Sequence, residues 1–256
     1  LNHLSVVMIV LNEAQRIEPV LKSIEWADEI VVIDAFSTDA TEKICLRYTD
    51  RIYKYPWEGY YKQRMRSIEH ASYPWIFSID ADEIVSEELK NEILTIINDR
   101  NSKNGYFVPR KTRYSGRWIE HSGWYPDYQL RLFRAEDVFI EPRLVHEGFS
   151  VRGEIGYLKG VLYHHSIDTI KQHVEKINHY TSLDCPQKIQ RLGNKQVRWY
   201  NLIFNPFFKF IRMYFSNKGY KDGFQGLILA ILSAFSTQLL YIKVWEAQHN
   251  QRNKPL

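Results

Sequence analysis

Cysteine is nearly absent from this chain: Cys45 and Cys185 are the only two in 256 residues. They lie in separate segments without metal-ligand spacing. That excludes a disulfide scaffold and a thiolate metal centre, and makes a reducing cytoplasm the expected compartment. The N-terminus lacks the basic start and cleavage site of a signal peptide. Its apolar run from Leu4 to Val10, broken only by Ser5, is too short for one and reads as a buried strand. Glycine is missing from the turn after that run, where the residues are Asn12-Glu13-Ala14-Gln15-Arg16. A nucleotidyltransferase would place a Gly-rich, basic phosphate loop there, so that enzyme class is disfavoured. Internal repeats and low-complexity segments are also lacking.

Aromatic residues are in surplus: 17 Tyr, 13 Phe and 7 Trp make up 14% of the chain. Such a content suits a large core, a sugar-binding cleft or a surface at a membrane interface. The net charge of +4 is too small to define a partner until its distribution is known.

The first hundred residues alternate in type. Apolar or β-branched runs at Leu4–Leu11, Ile30–Ile33, Arg51–Tyr55, Trp75–Ile79 and Asn104–Pro109 predict strands. Between them, helical pattern covers Glu13–Ile24, a stretch opened by Asp39 and Glu42 at capping-pair spacing, Lys62–His70, and a helix capped by Ser86 that runs to about Asn98. Alternation of this kind predicts an α/β domain, a mostly parallel central sheet flanked by helices. Ligands bind such sheets at the carboxyl ends of the strands, where Asn12, Asp34 and Asp80 fall. Three polar residues at equivalent strand ends suit a nucleotide.

Asp80-Ala81-Asp82 forms a tight acidic pair at the end of the fourth strand. Hard cations such as Mg²⁺ or Mn²⁺ take carboxylate oxygens and keep positions open for phosphate oxygens. Two carboxylates two residues apart can divide the work, Asp80 at the ribose or the metal and Asp82 on the metal.

The segments Leu4–Glu13, Val31–Asp34 with Ser37–Thr41, and Ser78–Glu83 together resemble glycosyltransferase family 2 with its GT-A fold. His121–Asp127, Leu130–Phe133, Val145–Glu147 and the tail from Asp222 to Glu246 are similar to the branch of lipopolysaccharide-core β-glucosyltransferases. Phe36 and Ala40 depart from that pattern, standing where the family usually has glycines. The resemblance implies that Asn12, Glu13, Asp34 and Asp39 hold the uracil and ribose of a UDP-sugar. Lys62, Gln63 and Arg64 would face the donor, with Asp80 and Ala81 beside it. Asp82, Asp80 and a late ligand, His164, would hold the metal; His146 is a weaker candidate for the same shell.

Inverting transfer, which the resemblance also implies, needs one further carboxylate to take the acceptor proton. Asp127 is the first candidate and Glu147 the competitor. Arg110, Arg113, Arg117, Arg131 and Arg134 are candidates for phosphate contacts. The implied reaction moves a hexose, glucose by family likeness, to an inner-core heptose of lipopolysaccharide. Another UDP-sugar, a lipid-linked acceptor, or a non-catalytic scaffold on the same fold are the alternatives.

These patterns divide the chain into a catalytic domain at 1–185 and a tail at 186–256, the catalytic part comprising a nucleotide-sugar half (1–110) and an acceptor-side half (111–185). From Pro186 to Lys221 there are eight basic residues and no acidic one, with aromatics interleaved. The next stretch, Gly226–Trp245, is almost wholly apolar, its only charge being Lys243. Nucleic acid has no use for such a run. A helix docked partly on the protein and partly on the inner face of the cytoplasmic membrane is expected instead, giving a cytoplasmic, peripheral protein.

Overall fold

The computed structural model describes residues 2–140 and 148–252. Twelve strands are found among them: β1 (Leu4–Val10), β2 (Glu29–Asp34), β3 (Ile52–Lys54), β4 (Trp75–Ser78), β5 (Glu83–Val85), β6 (Gly105–Tyr114), β7 (Arg117–Trp118), β8 (Asp127–Arg134), β9 (Val138–Ile140), β10 (Phe149–Val151), β11 (Ile155–Tyr157) and β12 (Leu162–Ile167). The α-helices are α1 (Ile17–Ile24), α2 (Thr41–Cys45), α3 (Tyr60–Glu69), α4 (Glu87–Asn98), α5 (Ile170–Leu192), α6 (Trp199–Ile211) and α7 (Gly223–Arg252). Two compact units emerge, Leu1–Lys111 with Asp127–His165, and Thr112–Pro126 with Ser166–Leu256. The division expected at residue 185 falls inside α5.

The main sheet runs β3-β2-β1-β4-β8-β6-β12-β5, with β7 and β11 also paired to β6. The β3-β2-β1-β4 half is parallel. Alternate residues of its strands face opposite sides, so each strand needs apolar residues at both parities. Val6, Met8 and Val10 of β1 enter one core with Ile30, Val32, Trp75 and Phe77. Val7 enters the other with Val31, Ile33 and Ile76.

The first core is covered by α1, whose Ile17, Val20, Leu21 and Ile24 are buried at helical spacing. Each such side chain contributes about 1.5–3 kcal/mol on leaving water. Helix α4 lies over the same core through Leu89, Ile93 and Ile97, and its Ser86 cap accepts the Leu89 amide at 3.1 Å as the sequence predicts.

Two local expectations are corrected. Helix α1 starts at Ile17 rather than near Glu13, because the Glu13 carbonyl first accepts the amides of Arg16 and Ile17 in a turn. Asp39 and Glu42 are not a capping pair: the helix is preceded by Ala40, without a side-chain cap. Asp39 is drawn to the loop after β1 and Glu42 to Lys54. The short strand β5 was hidden by its length, three residues inside the acidic turn.

In the second unit, Thr169 and Gln172 form a capping box that starts α5. Asp222, buried, accepts the amides of Glu120 and His121 and meets the His121 ring at 3.0 Å. Tyr114 is fully buried and its hydroxyl lies 2.9 Å from Nδ1 of His173. Burial, helped by the charge of Lys176, pushes His173 down from 6.5 to about 4.

A histidine lowered in the folded state binds its proton more readily when unfolded, so its contribution is complete above about pH 6.5 and is lost as pH falls towards 4. The thermal midpoint of the protein should therefore drop across that window. His173→Gln, which keeps an acceptor for Tyr114, should make the decline shallower; an unchanged pH profile would show that His173 does not titrate as described.

Candidate active site

The site begins at the carboxyl ends of β1 and β2. Asn12 and Phe36, the residues just beyond, adopt left-handed φ values of 56° and 62°. At Phe36 this is the conformation that a glycine would take without strain, and the bulky side chain adopts it all the same. The two loops are laced together. Asn12 Oδ1 accepts the Thr38 amide at 2.8 Å, and the Asn12 amide donates to Ser37 Oγ at 3.0 Å. The Glu13 amide donates to Thr41 Oγ1 and the Ala14 amide to Asp39 Oδ2. Asp39 also accepts the hydroxyl and amide of Thr41, and these bonds hold its carboxyl below the ordinary value.

Asp34 is fully buried at the end of β2; Oδ1 accepts the amide and hydroxyl of Ser37, while Oδ2 has no hydrogen-bond partner. A buried carboxylate oxygen left in that state is costly, and a ligand donor is one way to relieve it. Burial and the charge of Asp34 push the nearby Cys45 thiol up to about 12, so Cys45 stays protonated.

The carboxyl end of β4 carries Asp80. Because β8 is antiparallel to β4, its first residue, Asp127, lies at the same edge of the sheet. Strand β6, antiparallel to β8, brings Arg110 opposite Asp127. A chain of alternating charges joins these positions. Arg64 lies 3.9 Å from Asp80. Arg131 meets Asp80 at 2.5 Å and Glu83 at 2.6 Å. Arg110 reaches Glu83 at 3.3 Å and grips Asp127 Oδ2 through Nε at 2.9 Å and Nη2 at 2.7 Å. Gln129 donates to the other oxygen of Asp127 at 2.8 Å.

Glu83 is fully buried and Arg131 nearly so. Burial alone would raise Asp80, but the charges of Arg131 and Arg64 outweigh it and hold Asp80 well below the usual carboxylate range. Burial would likewise lower Arg131, and Asp80 and Glu83 together raise it instead.

Among the expected metal ligands, Asp82 and His164 are brought together, Oδ2 to Nε2 at 3.3 Å. Strand pairing does this, since β5 and β12 set His164 opposite Glu83 and the His165 amide donates to the Asp82 carbonyl. A magnesium-sized ion holds its donors about 2.1 Å away, so neighbouring donors stand about 3 Å apart. The Asp82–His164 pair fits that requirement. Asp80 is committed to guanidinium groups, and among the described residues no set of three or more His, Cys, Asp or Glu is poised around one point. Among the described residues, Asp82 and His164 are thus two donors that a cation could share.

The three residues on α3 diverge, because successive helix positions point about 100° apart. Lys62 pairs with Glu58 at 2.7 Å. Gln63 is buried and donates to the Pro56 carbonyl at 2.9 Å. Arg64 turns towards Asp80 and packs over the rings of Tyr60 and Phe149. The Ala81 side chain is part of the core, leaving only its backbone to face a donor. His146 and Glu147 lie outside the described residues. Glu83 carries no site signal in the sequence, and Arg110 and Arg131 stand there only among five arginines suited to phosphate contacts. Glu83 directly follows the acidic pair, but only strand pairing shows that it faces inward.

A parallel sheet half with an acidic pair at a strand end, continued by antiparallel strands that return to the same edge, is the GT-A arrangement. The model of the family described as glycosyl transferase family 2 matches residues 5–152. The chain is 30% identical to the lipopolysaccharide core biosynthesis glycosyltransferase LpsC of Rhizobium meliloti, covering 98% of this chain and 95% of that one. It is 26% identical to an uncharacterized glycosyltransferase of Rickettsia typhi, covering 98% and 89%. Among solved structures, S. aureus TarS 1-349 in complex with UDP-GlcNAc superposes with a TM-score of 0.50 at 15% identity, over 97% of this chain and 92% of that one, a likeness of fold. The chain belongs to glycosyltransferase family 2.

Arg131→Met would strand Asp80 and Glu83 without their shared cation, and should lower unfolding stability by about 3–5 kcal/mol in urea titrations. Asp127→Asn, altering a half-exposed pair, should cost less than about 1 kcal/mol. Equal losses in the two variants would contradict the central place given to Arg131.

Proposed function

We propose that this glycosyltransferase is a metal-dependent, inverting enzyme that transfers glucose from UDP-glucose to an inner-core heptose of lipopolysaccharide. The observation that carries the reading is the charge chain from Arg64 and Asp80 to Asp127, which links the acidic pair at the end of β4 to a separate carboxylate on the same sheet edge. The likeness to a protein named for lipopolysaccharide core biosynthesis supports an acceptor of that class. A lipid-anchored acceptor of that kind places the enzyme at the inner face of the cytoplasmic membrane.

In this mechanism Asn12, Glu13, Asp34 and Asp39 receive the uridine. Asp34 is suited to a donor group of the base or ribose, since one of its oxygens lacks a partner. Asp82 and His164 would hold Mg²⁺ or Mn²⁺. Such an ion, when bound, supplies positive charge to the departing diphosphate. Arg64 supports the same charge from the side of α3, and Asp80 fixes the guanidinium groups and takes the ribose side.

Asp127 removes the proton of the acceptor hydroxyl as that oxygen bonds to the anomeric carbon and the bond to the diphosphate breaks. Arg110 and Gln129 orient the Asp127 carboxylate, each holding one oxygen. One displacement of this type turns the α-linked donor into a β-linked product. Glu147 remains the competing base.

UDP release from UDP-glucose, measured with heptose-terminated lipopolysaccharide acceptors with and without Mn²⁺, tests the proposal. Turnover should require acceptor and metal, and the product should be β-linked by NMR. Asp127→Asn should reduce kcat by about 10²–10⁴-fold while UDP-glucose binding persists, and Asp82→Asn should abolish the response to Mn²⁺. Absence of both turnover and UDP-sugar binding would overturn the enzyme reading; an α-linked product would overturn inversion alone.

A further inference from the structure

Helix α6 is inside out for a protein in water. Trp199, Tyr200, Ile203, Phe204, Phe207 and Phe208 are all exposed, Trp199 by 68% and Phe208 by 61%. At 3.6 residues per turn these six positions fill one continuous half of the helix surface. Asn201 and Asn205, which a soluble helix would turn outward, are less exposed than the aromatics, and Pro206 is buried. Contiguous exposed apolar area of this kind marks an interaction surface.

The charge around the stripe identifies the partner. Arg191, Lys195 and Arg198 precede it, Lys209, Arg212 and Lys218 follow it, and all six are exposed. The nearest acidic residue after Lys221, Asp222, is buried. Aromatic side chains with basic flanks match the headgroup region of an anionic phospholipid layer, where rings sit at the apolar boundary and ammonium and guanidinium groups meet phosphates.

Helix α7 is long and apolar enough to cross a bilayer, and little of it is buried. Its contacts argue for a different placement. The Lys243 ammonium, with three N–H donors, lies 2.7–2.9 Å from four oxygens of α5: the Asn178 carbonyl and Oδ1, Thr181 Oγ1 and Ser182 Oγ. Gln238 donates to the Leu202 carbonyl of α6, and Gln248 bonds the backbone of Lys195 and Val197. A spanning α7 would have to abandon these bonds or carry the charged surface of α5 into the hydrocarbon.

We propose that α6 is an in-plane membrane anchor: its aromatic half enters the interfacial layer of an anionic phospholipid membrane, its basic flanks bind the headgroups, and α7 stays on the surface as its backing. The anchor acts without UDP-sugar or acceptor, so it stands or falls separately from the transfer reaction.

Flotation of the full chain with vesicles, in the absence of substrates, tests this. The protein should float with phosphatidylcholine mixed with phosphatidylglycerol, bind phosphatidylcholine alone weakly, and be released by high salt and by alkaline carbonate. Phe204→Ser with Phe207→Ser and Phe208→Ser should abolish flotation without changing the thermal midpoint, since these side chains face solvent. Arg191→Gln with Lys195→Gln and Arg198→Gln should weaken binding to the anionic vesicles on the order of tenfold to a hundredfold. Failure to bind anionic vesicles would overturn the proposal, as would undiminished binding by the serine variant. Retention after carbonate extraction would show that α7 spans instead. A stable dimer that ignores vesicles and dissociates in the serine variant would show that a second copy covers the stripe.

Discussion

Burying a guanidinium away from water costs several kcal/mol unless charge and hydrogen bonds replace its hydration. At Arg131 the replacement is Asp80 on one side and Glu83 on the other, and neither carboxylate can be understood without it. The same group ties β8 to the turn after β4, the place where a parallel nucleotide-side sheet gives way to antiparallel strands. Glu83 extends the arrangement to Arg110, and Arg110 to Asp127. The candidate base is positioned at the far end of a relay of ion pairs whose buried centre is a single arginine.

This coupling explains a division within the acidic triplet. Asp80 and Asp82 are two residues apart and chemically identical, yet one is held by guanidinium groups while the other faces an imidazole. The tight turn between β4 and β5 sends them to different neighbours. The two carboxylates of one triplet are therefore not interchangeable, despite their spacing of two residues.

The second unit combines an ordinary core with an exposed apolar helix face. Its core obeys ordinary rules: Tyr114 and His173 are buried and bonded to one another, and Asp222 takes several donors. The outward half of α6 breaks them. Its aromatic stripe stays exposed while Asn201 and Asn205 are only half-exposed, and basic residues flank it on both sides.

The alternation of strands and helices in the first hundred residues was legible because it depends on local periodicity. Apolar residues at both parities of β1, β2 and β4 require a sheet covered on both faces, and a parallel sheet puts Asn12, Asp34 and Asp80 at one edge. The acidic pair and the basic, aromatic tail could be read for the same reason: each is contiguous in sequence. What could not be read depends on contacts between distant residues. His164 was set beside Asp82 only by family resemblance, since strand pairing makes that contact, and Arg131 meets Glu83 across 48 residues. Lys62, Gln63 and Arg64 are consecutive, so sequence treats them alike, and only packing sends one to solvent, one to the core and one to Asp80. The sequence by itself determined which groups were available and at which end of the sheet the first of them gather. Tertiary structure decided which charges neutralise one another, because a buried ion must find its partner in space, wherever that partner lies along the chain.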